Sequence, residues 1–223
     1  MYIPGIDTVF PQHYPLFKSV DKLSILMEEN KDIAVNLVTP LILTLYSAFE
    51  CYLTEIEDSI INNPELKEQY TDSERPKMEK RPFVLFKILK KKDFDKSSKL
   101  YDDYNHFVKL RNLIAHSRLE SIEWENFEAK TGVWTAMNPS HSDKKEIRKH
   151  SHSAKVQRDD RADKVISFLE RRKIIDIQSQ FRMEGFIYSI QKVEIADWAN
   201  KMITDLMKEL FNEDRTNPLY TRI

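Results

Sequence analysis

The longest amphipathic pattern in the chain runs through Ile42, Leu45, Tyr46, Phe49, Tyr52, Leu53, Ile56 and Ile60. Steps of three and four place these side chains on one face of a helix, with Thr44, Ser47, Thr54 and Asp58 opposite. Thr39-Pro40 can cap and start this helix, or Pro40 can kink a longer one beginning near Asp32. The pattern returns in Val193, Ala196, Ala199, Met202, Ile203, Leu206 and Leu210. Between these two, Pro82 suits the first turn of a helix through Phe83, Phe86 and Leu89, and Ser97 or Ser98 can cap a helix over about 99–117. A first helix is expected from near Asp21, carrying Leu23, Leu26 and Met27, and another is marked by Val165, Phe168 and Leu169. Residues 1–16 are rich in aromatic residues and proline and read as an extended arm, and 62–77 as a polar loop. Ile174-Ile175-Asp176-Ile177 reads equally as a helix end or a short strand. From Asn138 to Asp163 apolar residues almost vanish, which predicts a long polar loop or insertion that cannot bury enough surface to fold alone. The pattern predicts an all-α fold forming one domain over 1–223.

Composition narrows the chemistry. Only Gly5, Gly132 and Gly185 are glycines, so glycine-rich phosphate cradles, Walker loops and dinucleotide fingerprints cannot be built. Cys51 is the single cysteine, which excludes internal disulfides and cysteine-rich zinc sites and fits a reducing cytoplasm. A net charge of −1 means that any nucleic-acid surface is local. No run of about 18 apolar residues predicts a membrane span, and the first residues lack a secretory-signal pattern. A soluble, cytoplasmic protein without a cofactor is expected.

The run Arg111-Asn112-Leu113-Ile114-Ala115-His116 places an arginine and a histidine at the end of the 99–117 helix. Arginine is permanently cationic and shaped to grip a phosphate, and histidine exchanges protons near neutral pH. The pair suffices to cut RNA, whose own 2′-hydroxyl is the nucleophile. At about 100° per residue, Leu100, Tyr104, Phe107, Val108, Ile114 and Ala115 fall within roughly 60° of Arg111. The arginine thus lies inside an apolar stripe and needs a carboxylate or phosphate partner. His116 lies about 140° away, beside Asn112 and Lys109. The two converge if the helix frays at His116 or if two subunits bring their motifs together. The plainer alternative is that Arg111 pairs with a core acid such as Glu50 and His116 ends a helix.

The string Arg111 to His116 resembles the R-x4–6-H signature of HEPN domains, with Asn112 as the polar residue that usually follows the arginine. Ser47-Ala48-Phe49-Glu50-Cys51-Tyr52-Leu53 is similar to the small-x-acid pattern of an earlier helix in that family. The resemblance covers about residues 20–120 and implies an all-α helical bundle. It implies a metal-independent endoribonuclease acting as a homodimer with a composite site, in a toxin–antitoxin or antiphage defence system. Arg111 would bind and polarise the scissile phosphate, His116 would be the catalytic histidine, and Asn112 the orienting residue. Where many such toxins carry a tyrosine two residues after the histidine, this chain has Arg118, which argues against silencing by tyrosine modification.

Lys90, Lys91 and Lys92, within a basic cluster that includes Lys87 and Lys96, are candidate contacts to an RNA backbone, as are Lys109 and Arg118. Lysines at a helix end are equally ordinary dipole partners. The loop run Lys144, Lys145, Arg148, Lys149, Lys155 and Arg158 can track an RNA backbone or simply be solvated. His141, His150 and His152 lack the pattern of a metal site. Trp124, Phe127 and Trp134 suit core packing better than base stacking. The expected partners are RNA, a second copy of the chain and an antitoxin or defence-system protein. The competing readings are a HEPN-like module that binds RNA or protein without cutting, and an unrelated helical interaction protein.

Overall fold

The structure is a computed structural model that describes residues 11–68, 70, 76–116, 121–124, 154–157, 160–176 and 186–212. Contacts gather the chain into two compact units, one formed by residues 1–116 with 191–223 and one by 117–190. The sequence predicts one domain; the second unit begins immediately after the motif histidine, where the apolar periodicity fades.

In the first unit, helix α1 spans His13–Glu29 and α2 spans Lys31–Ile61. The helix expected from Asp21 therefore starts earlier, and the arm over 1–16 is corrected from His13 onward; residues 1–10 lie outside the described residues. The reason is tertiary. Gln12 gives α1 no side-chain cap, but Glu55 of α2 accepts the His13 backbone N–H at 3.1 Å and faces His13 Nδ1 at 2.6 Å. A carboxylate at a helix N-terminus meets both the free N–H groups and the dipole. Pro15, in the first turn, lacks an N–H that would have gone unpaired.

Pro40 sits inside α2, so the longer of the two expected helices forms. Thr44, Ser47 and Thr54 donate their hydroxyls back to the carbonyls of Pro40, Leu43 and Glu50 at 2.8–3.0 Å, which settles the polar face locally. The apolar face, with Leu41, Ile42, Leu45, Phe49 and Leu53 each at most 1% exposed, forms the centre of the unit. By length and mean hydropathy α2 is apolar enough to cross a membrane, a test that a buried core helix also passes.

Within the expected 62–77 loop, Asn63 caps a short helix α3, Pro64–Lys67, by accepting the Glu65 N–H. Helix α4, Arg81–Lys90, has Pro82 in its first turn and ends at Lys91, which takes the left-handed conformation. Ser98 caps α5, Lys99–Ala115, by accepting the Tyr101 N–H at 3.2 Å. The C-terminal pattern forms one long helix, Val193–Phe211. Together with α4 and α5 it packs on α2, so the expected contact between the 40–61 and 99–116 segments is present.

A buried ion pair fixes α4 to α2. Arg81, 2% exposed, donates through Nε to Glu57 Oε1 at 2.8 Å and through Nη2 to Glu57 Oε2. Arg81 Nη2 also reaches Thr54 Oγ1, and the Tyr70 hydroxyl reaches Glu57 Oε1. The two charges are thus paired bidentately and their remaining capacity is used, as burial demands.

In the second unit, strand β1, Ser121–Trp124, pairs antiparallel with β2, Ala154–Gln157, in the register Ser121 opposite Gln157 to Trp124 opposite Ala154. Helix α6, Asp160–Arg171, follows, then a short helix α7, Phe186–Ser189; the long C-terminal helix Val193–Phe211 of the first unit is α8. Part of the expected 138–163 loop is therefore regular structure: β2 and the start of α6 lie in it. Strand pairing satisfies backbone groups without much apolar burial, so a polar segment can join a ladder. Residues 138–153 lie outside the described residues. The Ile174 ambiguity resolves as a helix end: Lys173 is left-handed, and the N–H groups of Lys173 and Ile174 reach the carbonyls of Glu170 and Leu169. Apart from the short strand pair, the described elements are helical, and the class is all-α.

Candidate functional site

The motif occupies the last turn of α5. Tyr104, Phe107, Val108 and Leu110 are fully buried, and the same packing draws Arg111 toward α2. The Arg111 guanidinium carbon lies 4.1 Å from the centre of the Tyr46 ring, and Tyr46 is 4% exposed. Arg111 Nη1 donates to Asn112 Oδ1 at 3.1 Å. Its Nε is buried and has no hydrogen-bond partner among the described residues. The expected partner, Glu50, forms no hydrogen bond or ion pair with Arg111 among the described residues; an aromatic face holds the cation instead.

Charges nevertheless gather around the Tyr46 phenol. Burial raises its pKa above 10.0; the Arg111 cation opposes that shift, and Glu50 and Glu79 reinforce it. Tyr104 is raised well above its ordinary value by complete burial, with smaller contributions from Tyr46, Glu79 and Glu50 and opposition from Arg81, and its hydroxyl donates to the Met78 carbonyl at 2.8 Å.

His116 is the C-cap of α5, with φ −125° and ψ 36°, and its backbone N–H reaches the Asn112 carbonyl at 3.0 Å. The backbone thus leaves helical geometry at this residue, as the fraying expectation requires. The ring is exposed and joins no hydrogen bond or ion pair among the described residues, Arg111 included. Asn112 bonds to both: its side-chain Oδ1 accepts from Arg111 and its carbonyl accepts the His116 N–H.

The expected backbone contacts do not converge on this point. Lys90, with Ile56 and Ile60 of α2, lines a cavity at the far end of that helix, whereas Arg111 lies over Tyr46. Tyr46 and Ile56 are separated by about 15 Å of helix. Lys92 lies over the Phe86 ring, and Lys91 and Lys109 are exposed. Arg118, the loop cations 144–149 and Arg158, the three loop histidines, Phe127 and Trp134 lie outside the described residues; Lys155 and Trp124 fall on strands whose side chains are not described. Among the described residues no group of three or more His, Cys, Asp or Glu side chains is placed to hold a metal.

Sequence reasoning missed Tyr46 as the platform for Arg111. The signal was coarse: Tyr46 belongs to the apolar stripe of α2 and Arg111 to that of α5, which tells that the stripes can meet but not which residues do. It also missed the Glu57–Arg81 pair, for which the only sign was an acid four residues after Leu53 and three before Ile60. Comparison with known proteins adds no name to this geometry: no family model, curated protein or solved structure matches the chain.

Proposed function

We propose that the protein is a cytoplasmic, metal-independent endoribonuclease of a toxin–antitoxin or antiphage defence system, built as a HEPN-like bundle and acting as a homodimer. The observation that carries this reading is the state of Arg111. It is a half-buried cation over the Tyr46 ring, and among the described residues it has no carboxylate partner and a single hydrogen bond, to Asn112 Oδ1. A guanidinium so held presents donors to an oxyanion, and a phosphodiester supplies two oxygens at the matching spacing. His116, five residues on, is exposed, and imidazole is the side chain suited to general acid–base work.

In the proposed reaction the 2′-hydroxyl oxygen attacks the adjacent phosphorus and the bond to the 5′-oxygen breaks. One His116 takes the 2′-proton, and the histidine of the second subunit gives a proton to the departing 5′-oxygen. Arg111 stabilises the added negative charge, an effect of about 3–4 kcal/mol for a well-placed donor. Products are a 2′,3′-cyclic phosphate and a 5′-hydroxyl. The test is cleavage of RNA by the purified chain in EDTA, with DNA as the control that lacks the nucleophile. His116→Ala and Arg111→Ala are each expected to abolish cleavage with the helical circular-dichroism signal retained. Activity that persists in both variants, or that cuts DNA equally, removes the mechanism.

One observation favours a second reading. Within one chain no hydrogen bond joins His116 to Arg111, so a monomer would hold an anion without a general acid or base beside it. A protein that binds RNA through this anion site and does not cut it fits that case. RNA binding that depends on Arg111 and is indifferent to His116→Ala identifies it.

A further inference from the structure

A cavity of about 310 Å³ lies in the first unit, between the last turns of α2, the short α3 and the C-terminal ends of α4 and α8. That is at the lower end of the range for small-molecule sites, about 300–1,000 Å³. Its apolar wall includes Ile56, Leu66, Leu89 and Phe211, and its polar lining includes Glu55, Ser59, Asn63 and Lys90.

The hydrogen bonds of that lining select a ligand class. Glu55 Oε1 already accepts the His13 N–H at 3.1 Å and the Cys51 thiol at 3.7 Å, and Oε2 faces His13 Nδ1 at 2.6 Å. Ser59 Oγ donates to the Glu55 carbonyl at 2.9 Å, and Asn63 Oδ1 accepts the Glu65 N–H at 3.0 Å. The carbonyls of Asp58 and Ile60 accept the N–H groups of Asn62 and Asn63. The Glu55 carboxylate and Asn63 Oδ1 are therefore already engaged as acceptors, and the Ser59 hydroxyl has spent its one donor. Two donors of the lining are free: among the described residues, neither the Lys90 ammonium nor the Asn63 side-chain amide nitrogen has a hydrogen-bond or ion partner. A cationic ligand would find Glu55 occupied and Lys90 repelling it. A ligand with an anionic head would satisfy both free donors while its body covers the apolar wall.

We propose that this cavity binds a small amphipathic carboxylate, its head against Lys90 and Asn63 and its aliphatic body against Ile56, Leu66, Leu89 and Phe211. The site is independent of the Arg111 site and of any activity there.

The test is calorimetric titration of the full chain with sodium decanoate below its micellar concentration, beside decanol and decylamine. Decanoate is expected to bind most tightly of the three. Lys90→Gln, an exposed position that leaves the fold intact, is expected to weaken decanoate by about fivefold, the scale of one exposed ion pair, and to leave decanol unchanged. Leu66→Trp, which fills the cavity, is expected to abolish binding of both. No binding of decanoate at millimolar concentration, equal binding to wild type and Lys90→Gln, or tighter binding of decylamine overturns the proposal. Should Leu66→Trp fail to fold, the Lys90→Gln comparison decides alone.

Discussion

Arg111 shows how little of a residue's role is contained in its own identity. A guanidinium in an apolar stripe has three ways to be tolerated: a carboxylate, an anion from outside, or an aromatic face. Glu50 stands near enough to act on the Tyr46 phenol, as Arg111 does, yet the ring provides the contact. A stack of this kind is worth about 0.5–2 kcal/mol, depending on how dry it is. If it orients Arg111 for phosphate, Tyr46→Phe should retain kcat/KM within about twofold and Tyr46→Leu should lower it by between about two- and thirtyfold. Single-turnover kinetics on RNA checks this, and equal activity in Tyr46→Leu and wild type would show the stack to be incidental. The motif itself was legible in the sequence, because its residues are consecutive at the end of one helix. Tyr46 was not, because its meeting with Arg111 depends on the rotation of two helices about their axes.

At the scale of elements, two ionic contacts hold helices to α2 and respond differently to change. Glu57 and Arg81 are 4% and 2% exposed, so removal of either strands the other as a buried charge. Arg81→Leu is expected to destabilise the fold by about 3–5 kcal/mol. The double change Glu57→Leu with Arg81→Leu is expected to recover much of the loss, as urea denaturation can measure. Additive losses in the double variant would mean that the pair is not what matters. The Glu55–His13 contact is partly open to solvent and so is the pH-sensitive one. Burial alone would raise the Glu55 carboxyl, but the hydrogen bond and charge of His13, with the backbone N–H groups of His13 and Gln12, outweigh it and hold it below 4.5. A carboxyl whose folded pKa lies below its unfolded value adds stability above the unfolded value, and the gain is lost as pH falls through the folded one. The Tm difference between wild type and Glu55→Gln should therefore be full near about pH 6 and shrink steadily below about pH 4.5. A difference that is constant across that range would assign the contact to packing alone. The start of α1 escaped sequence reading for this reason: its cap comes from a residue of another helix, and Gln12 gives no local sign of it.

For the whole molecule, the arrangement within one chain leaves His116 and Arg111 unjoined, and the proposed reaction needs two proton-transfer groups. A dimer that pairs two α5 ends supplies both. Sedimentation equilibrium at micromolar concentration is expected to return twice the 26.5 kDa chain mass. A strict monomer that still cuts RNA would end the composite-site mechanism, whereas a strict monomer without activity would favour the binding reading.

The sequence by itself determined the class and most of the helices. Apolar spacing of three and four is a local property, and proline, serine and asparagine at helix starts act within one turn. The apolar face over residues 42–60, a serine cap at Ser97 or Ser98 and the segment Val193–Phe211 are readable in that way, whereas the structure decided that Pro40 lies inside the helix and that Ser98 is the cap. Strand β2 was hidden because a ladder of backbone hydrogen bonds can include side chains of almost any polarity. Only the tertiary structure decided which charges meet. Arg111 lies on Tyr46 and not on Glu50, Arg81 finds Glu57, and Glu55 caps a helix that begins far from it in the chain. Each of these contacts is set by the axial offset and rotation of one packed helix against another, a relation between distant segments that no local spacing encodes.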